Sequence, residues 1–176
     1  WRTGYDAYLL CPHTARTRIR PVPLEDLRRE APLTLDYLLR FREALDSRGG
    51  FAGWEKELQR QAFHGVLRVG AYTFAPYKVV WKYIASRFVC AVTGTVNDPL
   101  LGEKLLLPNE KVMYVATACE EEAYYLCGVL SSTAVARCVR GYMRPTSISA
   151  HVLEKLGIPG YDGDAPLHRE IARLCR

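Results

Sequence analysis

Apolar residues recur at helical spacing most clearly between Thr117 and Pro145. Ala123, Leu126, Cys127 and Leu130 fall at i, i+3, i+4 and i+7, one stripe of a helix. Thr117 and Glu120 have the spacing of a capping box, and Glu120, Glu121 and Glu122 sit where a helix dipole favours negative charge. After Ser131-Ser132 the apolar spacing repeats at Val135, Cys138, Val139 and Tyr142, while Arg137, Arg140 and Arg144 fall on the opposite side. One face of this second helix is expected to pack and the other to offer cations. Pro145 biases Arg144 away from helical geometry, to the helix exit.

The remainder of the chain adds strands and shorter helices. Residues 1–31 are rich in Arg and Pro, and Pro21 and Pro23 predict an extended or loop-like entry segment. Leu35, Leu38, Phe41 and Leu45 give one face of a helix over 34–46, stopped by Gly49-Gly50, and a second short helix is expected over 54–63. The aromatic and β-branched run from Tyr77 to Ile84 predicts a strand. Its residues Tyr77, Val79, Trp81 and Tyr83 point one way, and Lys78, Val80, Lys82 and Ile84 the other. A second strand is expected over 88–95, a loop at Asn97-Asp98-Pro99 and Gly102, and a third strand over 111–116. Ser149 is placed to cap a short helix ending at Leu156, and Pro166 opens a last helix carrying Leu167, Ile171 and Leu174 on one side. The class implied is α+β: a curved mixed β-sheet flanked by helices, with an N-terminal helical extension and a C-terminal helix.

A chain of 176 residues suits one domain or a domain with an extension. The formal charge of +5 is compatible with a polyanionic partner, but clustering matters more than the sum. Six cysteines are scattered without a CxxC pair, with Cys127 and Cys138 on apolar helix faces. They read as reduced thiols, which favours a cytoplasmic location. The histidines His13, His64, His151 and His168 are isolated, so no metal site is expected. No apolar run reaches membrane-spanning length and no signal peptide is visible; a start at Trp1 suggests a piece of something longer. Gly-rich phosphate loops, GxSxG and HExxH motifs are all missing, so no catalytic residue and no autonomous catalysis are expected. What calls for a reading is the basic and aromatic set Lys78, Lys82, Arg87, Lys111, Arg137, Arg140 and Arg144 with Trp81, Tyr83 and Tyr142. Its plain interpretation is core aromatics beside a solvated cationic face. As a group it also supplies donors for phosphates and guanine edges.

Through these residues a family comes into view. The ordered segments FAPYKVVWKYIASRFVCAV, LLLPNEKVMYVAT, CEEEAYYLCGVLSS, SISAHVLEKLGIPGYD and APLHREIARL resemble the C-terminal specificity region of N6-adenine DNA methyltransferases of restriction-modification systems. Combined restriction and modification enzymes and the target recognition domains of Type I specificity subunits are the nearest in kind. The resemblance runs from about Leu33 to the end, including LDYLLRFREALDSR. It implies a linker and helical connector over 1–70 from a missing methyltransferase region, a target recognition domain over 71–165, and the start of a helical spacer over 166–176. It further implies double-stranded DNA as partner, with S-adenosylmethionine expected for the parent enzyme and no cofactor for this fragment. The family's NPPY-type tetrapeptide and glycine-containing cofactor loop do not occur in this sequence. The base-reading residues of such domains vary, so the DNA-binding candidates Lys82, Arg87, Arg137, Arg140, Arg144 and Thr146 rest on charge and loop position alone. The alternative is a protein-interaction domain that docks onto the methyltransferase region or a partner subunit. An RNA-binding module is disfavoured by the lack of the aromatic sheet signature.

Overall fold

The computed structural model describes residues 3–50, 52–142 and 147–176. By its contacts the chain divides into two units, residues Tyr8–Phe74 and residues 3–7 together with Ala75–Arg176.

The unit over 8–74 is built of short helices: α1 (Leu24–Glu30), α2 (Pro32–Arg40), α3 (Arg42–Asp46) and α4 (Trp54–Gln61). Its core is Leu27, Leu35, Leu38 and Phe63, with Leu24 and Leu45 packed alongside. The helix α1 lies inside the segment expected to be extended. Pro23 occupies the N-cap instead of breaking the helix, its extended backbone delivers the chain into the first turn, and Leu24 and Leu27 then supply an apolar face. The single helix expected over 34–46 is divided at Phe41, which leaves helical geometry. The break turns Phe41 outward, 47% exposed, so it is not part of the predicted packing face.

Two buried histidines pin the loops of this unit. The Val66 N–H donates to His13 Nε2 at 2.8 Å, so the ring proton sits on Nδ1, which donates to the Arg18 carbonyl at 2.9 Å. His64 Nε2 donates to the Val22 carbonyl at 2.9 Å, and its Nδ1 is buried without a partner among the described residues. Burial is the main cause pulling both imidazoles below their ordinary value; the neighbouring His64 lowers His13 further, and Arg48 lowers His64. A second proton on His13 would confront the Val66 N–H. With folded values depressed, the stabilising contribution is present above the unfolded value near 6.5 and is lost as pH falls below it. Thermal or urea midpoints between pH 7 and 5 should therefore decline, with at most about 1.4 kcal/mol per pH unit for each histidine. A His13→Gln/His64→Gln chain should show a flatter profile; an equal slope in both chains would remove these rings as the cause.

In the second unit the strand β1 (Tyr77–Lys82) is central, paired antiparallel with β2 (Cys90–Thr93) on one side and β5 (Val112–Thr117) on the other. The register sets Trp81 between Cys90 and Met113, and Val79 between Val92 and Val115. These residues form the face that packs beneath α5 (Glu120–Leu130) through Ala123, Cys127 and Leu130. Burying one such side chain contributes about 1.5–3 kcal/mol. The α+β class holds, with helices before and after the strands, while every strand pairing among the described residues is antiparallel instead of mixed.

A second, two-stranded sheet pairs β3 (Thr95–Asp98) with β4 (Gly102–Leu105), where a loop was expected. Asp98 Oδ1 accepts from the backbone N–H groups of Leu100 at 2.8 Å and Leu101 at 2.7 Å and so fixes the hairpin turn, and the Tyr5 hydroxyl donates to Oδ2. Gly102 takes a positive φ of 68° to re-enter the ladder.

The capping box does not form. Cys119 is the N-cap of α5, and the Thr117 hydroxyl, at the end of β5, accepts from the Cys119 N–H at 3.2 Å and donates to Glu122. The helix α6 (Thr133–Tyr142) buries Val139, but Cys138 and Tyr142 are exposed, so its packing stripe is narrower than the sequence spacing suggested. Residues 150–155 form a 3-10 turn, with no side-chain cap from Ser149. The last helix, α7 (Pro166–Cys175), lies against α5 at Gly128, where a Cβ would stand 2.7 Å from Ile171 Cγ2. Beside it Tyr125, 2% exposed, packs at a tilt against Tyr161 and His168 and donates its hydroxyl to the Pro159 carbonyl at 3.1 Å.

Candidate nucleic-acid interface

The cationic residues singled out in the sequence fall on two groups of elements. Lys82 ends β1 opposite Val112, the first residue of β5, and is exposed. Exposed Lys111 immediately precedes β5, and its carbonyl accepts from the Tyr83 N–H at 2.8 Å. Exposed Arg87 lies in the connection between β1 and β2. Lys82 and Lys111 are thus gathered at one end of the three-stranded sheet, with Arg87 in the connection that leaves it.

Arg137 and Arg140 lie on α6, both exposed, while Val135 and Val139 on the same helix join the core. The segment following α6 is tied to the same sheet end. The Ile148 N–H donates to the Tyr83 carbonyl at 2.7 Å, and Trp81 Nε1 donates to the Ile148 carbonyl at 3.1 Å. No hydrogen bond or ion pair joins the sheet-end cations to those of α6 among the described residues. Arg144 and Thr146 lie outside the described residues.

Ion pairing neutralises some surface cations and leaves these, like Lys104, Lys155 and Arg169 of the same unit, without a partner among the described residues. On α1 Arg29 pairs with Asp26 and Glu30, and on α7 Arg173 pairs with Glu170; at the chain end Arg176 pairs with Glu120. Lys82, Arg87, Lys111, Arg137 and Arg140 have no carboxylate within ion-pair distance among the described residues. Their charge is offset only by solvent and mobile ions, the condition under which a polyanion gains most by displacing counterions.

Lys78 departs from the expected surface set. Alternation puts it on the face opposite Val79 and Trp81, yet it is fully buried. Its ammonium donates to the Ala75 carbonyl at 2.8 Å, and burial lowers its pKa to about 8. Across the strand pair stands Thr93, whose buried hydroxyl has no partner among the described residues. Lys78 is therefore unavailable to a surface ligand.

A cluster of thiols went unread in the sequence. Cys90 Sγ lies 3.8 Å from Cys127 Sγ and 3.3 Å from Ser131 Oγ. The signal was limited to two cysteines, each on an apolar run; their meeting is a product of β2 packing on α5. All six cysteines are free. Among the described residues no group of three or more His, Cys, Asp or Glu side chains is placed to hold a metal ion, and no helix is long and apolar enough to cross a membrane.

No family model matches the chain, and neither the curated proteins nor the solved structures include a match.

Proposed function

We propose that the unit over 75–176 is a sequence-specific double-stranded DNA recognition module, non-catalytic by itself, from an N6-adenine DNA methyltransferase of a restriction-modification system. The observation that carries this reading is the set of exposed, unneutralised cations: Arg137 and Arg140 on the outer face of α6, and Lys82, Arg87 and Lys111 about the sheet end. In this reading the arginines of α6 hold backbone phosphates, and neighbouring loops reach base edges. The methyltransferase portion, with S-adenosylmethionine, belongs to the parent protein, and the setting is the cytoplasm. The parts of the resemblance that name the family rest on the segments quoted from the sequence.

Binding of the whole chain to a random-sequence duplex library at two salt concentrations, with sequencing of the retained DNA, tests it. Enrichment of one short motif is expected. In the Arg137→Ala/Arg140→Ala chain affinity should fall for all duplexes, and the slope of log K against log salt should flatten by about 0.9 for each phosphate no longer neutralised. Unchanged affinity and slope would remove α6 from the interface, and no binding even at low salt would overturn the reading.

A second reading has its own observation. Leu33, Tyr37, Leu39 and Phe41 on and after α2 are 83%, 54%, 41% and 47% exposed. Such a concentration of large apolar side chains suits docking onto a protein, here the methyltransferase region or a partner subunit. Concentration-dependent self-association on size-exclusion chromatography, abolished by Leu33→Ser/Phe41→Ser, is the outcome that favours it.

A further inference from the structure

The thiol pair has a geometry that neither DNA binding nor docking uses. Cys90 opens β2, and Cys127 lies on the inner face of α5, both buried. Their sulfurs are 3.8 Å apart, and side-chain rotation has to close that gap to the roughly 2.05 Å of a disulfide. Both line a cavity of about 670 Å³, together with Thr3, Ser131, Cys175 and Arg176. That space is ample for a molecule little larger than water, whose share of the liquid is about 30 Å³.

We propose that Cys90 is an oxidation site for small hydroperoxides, with Cys127 as the partner that resolves it into an intrachain disulfide joining β2 to α5.

The surroundings favour ionisation of Cys90 over Cys127. Cys127 Sγ and Ser131 Oγ are both positioned to donate to Cys90 Sγ, and these contacts, against the opposing effect of burial, draw the Cys90 thiol below its ordinary value. The proximity of that thiolate, with burial, pushes Cys127 up. Ionisation of the pair therefore falls on Cys90 before Cys127, and it releases the contact that the Cys90 thiol otherwise donates to the Cys127 carbonyl at 3.5 Å. A lowered thiol value with access to a cavity is the condition for peroxide reactivity, whereas a buried thiol without these features is inert.

The chemistry closes on its own atoms. The Cys90 thiolate attacks one oxygen of the hydroperoxide, the O–O bond breaks, and the leaving oxygen departs as water or alcohol after taking up a proton. Cys90 is then a sulfenic acid and carries no charge, which removes the thiolate that held the Cys127 proton. Cys127 loses that proton and attacks the Cys90 sulfur; the S–O bond breaks, water leaves, and the S–S bond forms. Two thiols give up two electrons and two protons, and hydrogen peroxide as the oxidant becomes two waters.

The test uses the whole chain carrying Cys119→Ser, so that the tryptic peptide 112–137 holds Cys127 as its only thiol. After removal of reductant, hydrogen peroxide is added at one equivalent, remaining thiols are alkylated, and the digest is mapped by mass. The expected result is peptide 88–104 joined to 112–137, both losing their alkylation, with reversal by dithiothreitol. A Cys127→Ala chain in the same background should instead accumulate Cys90 sulfenic acid, trapped by a 1,3-diketone. If Cys90 and Cys127 both stay alkylated while exposed Cys138 is oxidised, the proposal fails. A Cys90 link to Cys175 in place of Cys127 overturns the resolving assignment. Should Cys127→Ala not fold by circular dichroism, the map of the Cys119→Ser chain decides alone.

Discussion

Replacing Lys78 by methionine is expected to make the protein more stable at pH 7, by a net amount of about 2 kcal/mol. The lysine is fully buried, with one acceptor, the Ala75 carbonyl, for its three donors. Burial lowers its pKa from 10.5 to about 8, and at roughly 1.36 kcal/mol per unit that depression represents about 3 kcal/mol of stability missing from the folded state at neutral pH. The loss of the bond to Ala75 returns about 1 kcal/mol of that gain. Methionine fills a similar volume without a charge to desolvate. The sign has a pH signature. Above about 10.5 the amine is neutral in both folded and unfolded chains, so the penalty vanishes; it accumulates as pH falls towards 8 and is constant below. The stability difference between Lys78→Met and the unaltered chain, from urea midpoints, should therefore shrink between pH 8 and 10.5. A Met chain less stable at pH 7, with no such convergence, would show that the ammonium is held by more than the Ala75 carbonyl.

Trp81→Ala is expected to act in the opposite direction and more strongly, at a cost of about 3–5 kcal/mol. The indole is 2% exposed, faces Phe88 edge-on with centroids 5.8 Å apart, and belongs to the face of β1 that packs beneath α5. Its truncation leaves a cavity and also orphans the carbonyl of Ile148, which accepts from Nε1. Trp81→Phe separates the two effects, since it keeps most of the ring volume and loses the donor. It should cost about 1–2 kcal/mol, measured by chemical denaturation. An equal loss in both variants would mean that the hydrogen bond, and not the packing, ties residues 147–148 to β1. That tie has a functional side, because Ile148 and Val139 share the core from which α6 presents Arg137 and Arg140.

The elements that were legible in the sequence are those whose own residues carry the signal. The stripe of α5, the exposed Arg137 and Arg140 of α6 and the alternation of β1 appear where periodicity places them, and Pro166 opens α7; Arg144 lies outside the described residues. The failures have physical causes. Asn97-Asp98-Pro99 and Gly102 are turn formers, yet the first two end β3 and the last begins β4, because the Asp98 side chain takes over the hydrogen bonds of the tip. Phe41 fits a helical face in one dimension, but the helix breaks at that residue and turns it outward, while Leu45 beyond the break still packs on the core. Lys78 alternates as expected; its burial is set by tertiary packing, which period-2 spacing does not encode. Among the candidate DNA-binding residues, exposure of Lys82, Arg87, Arg137 and Arg140 followed from residue type and position. Their lack of carboxylate neighbours required the folded arrangement, as did the meeting of Cys90 with Cys127, 37 residues apart.

The bond from Tyr5 to Asp98 spans 93 residues, and the whole of the 8–74 unit lies between its partners along the chain. During synthesis Tyr5 emerges long before the strand that will receive it, and the intervening helices have time to form first. Closing a fully flexible loop of that length costs about 4 kcal/mol in chain entropy, and helices formed beforehand within it shorten the flexible part and lower that cost. Along the sequence the helical unit is thus an excursion enclosed by the bond that joins Tyr5 to the β3–β4 hairpin.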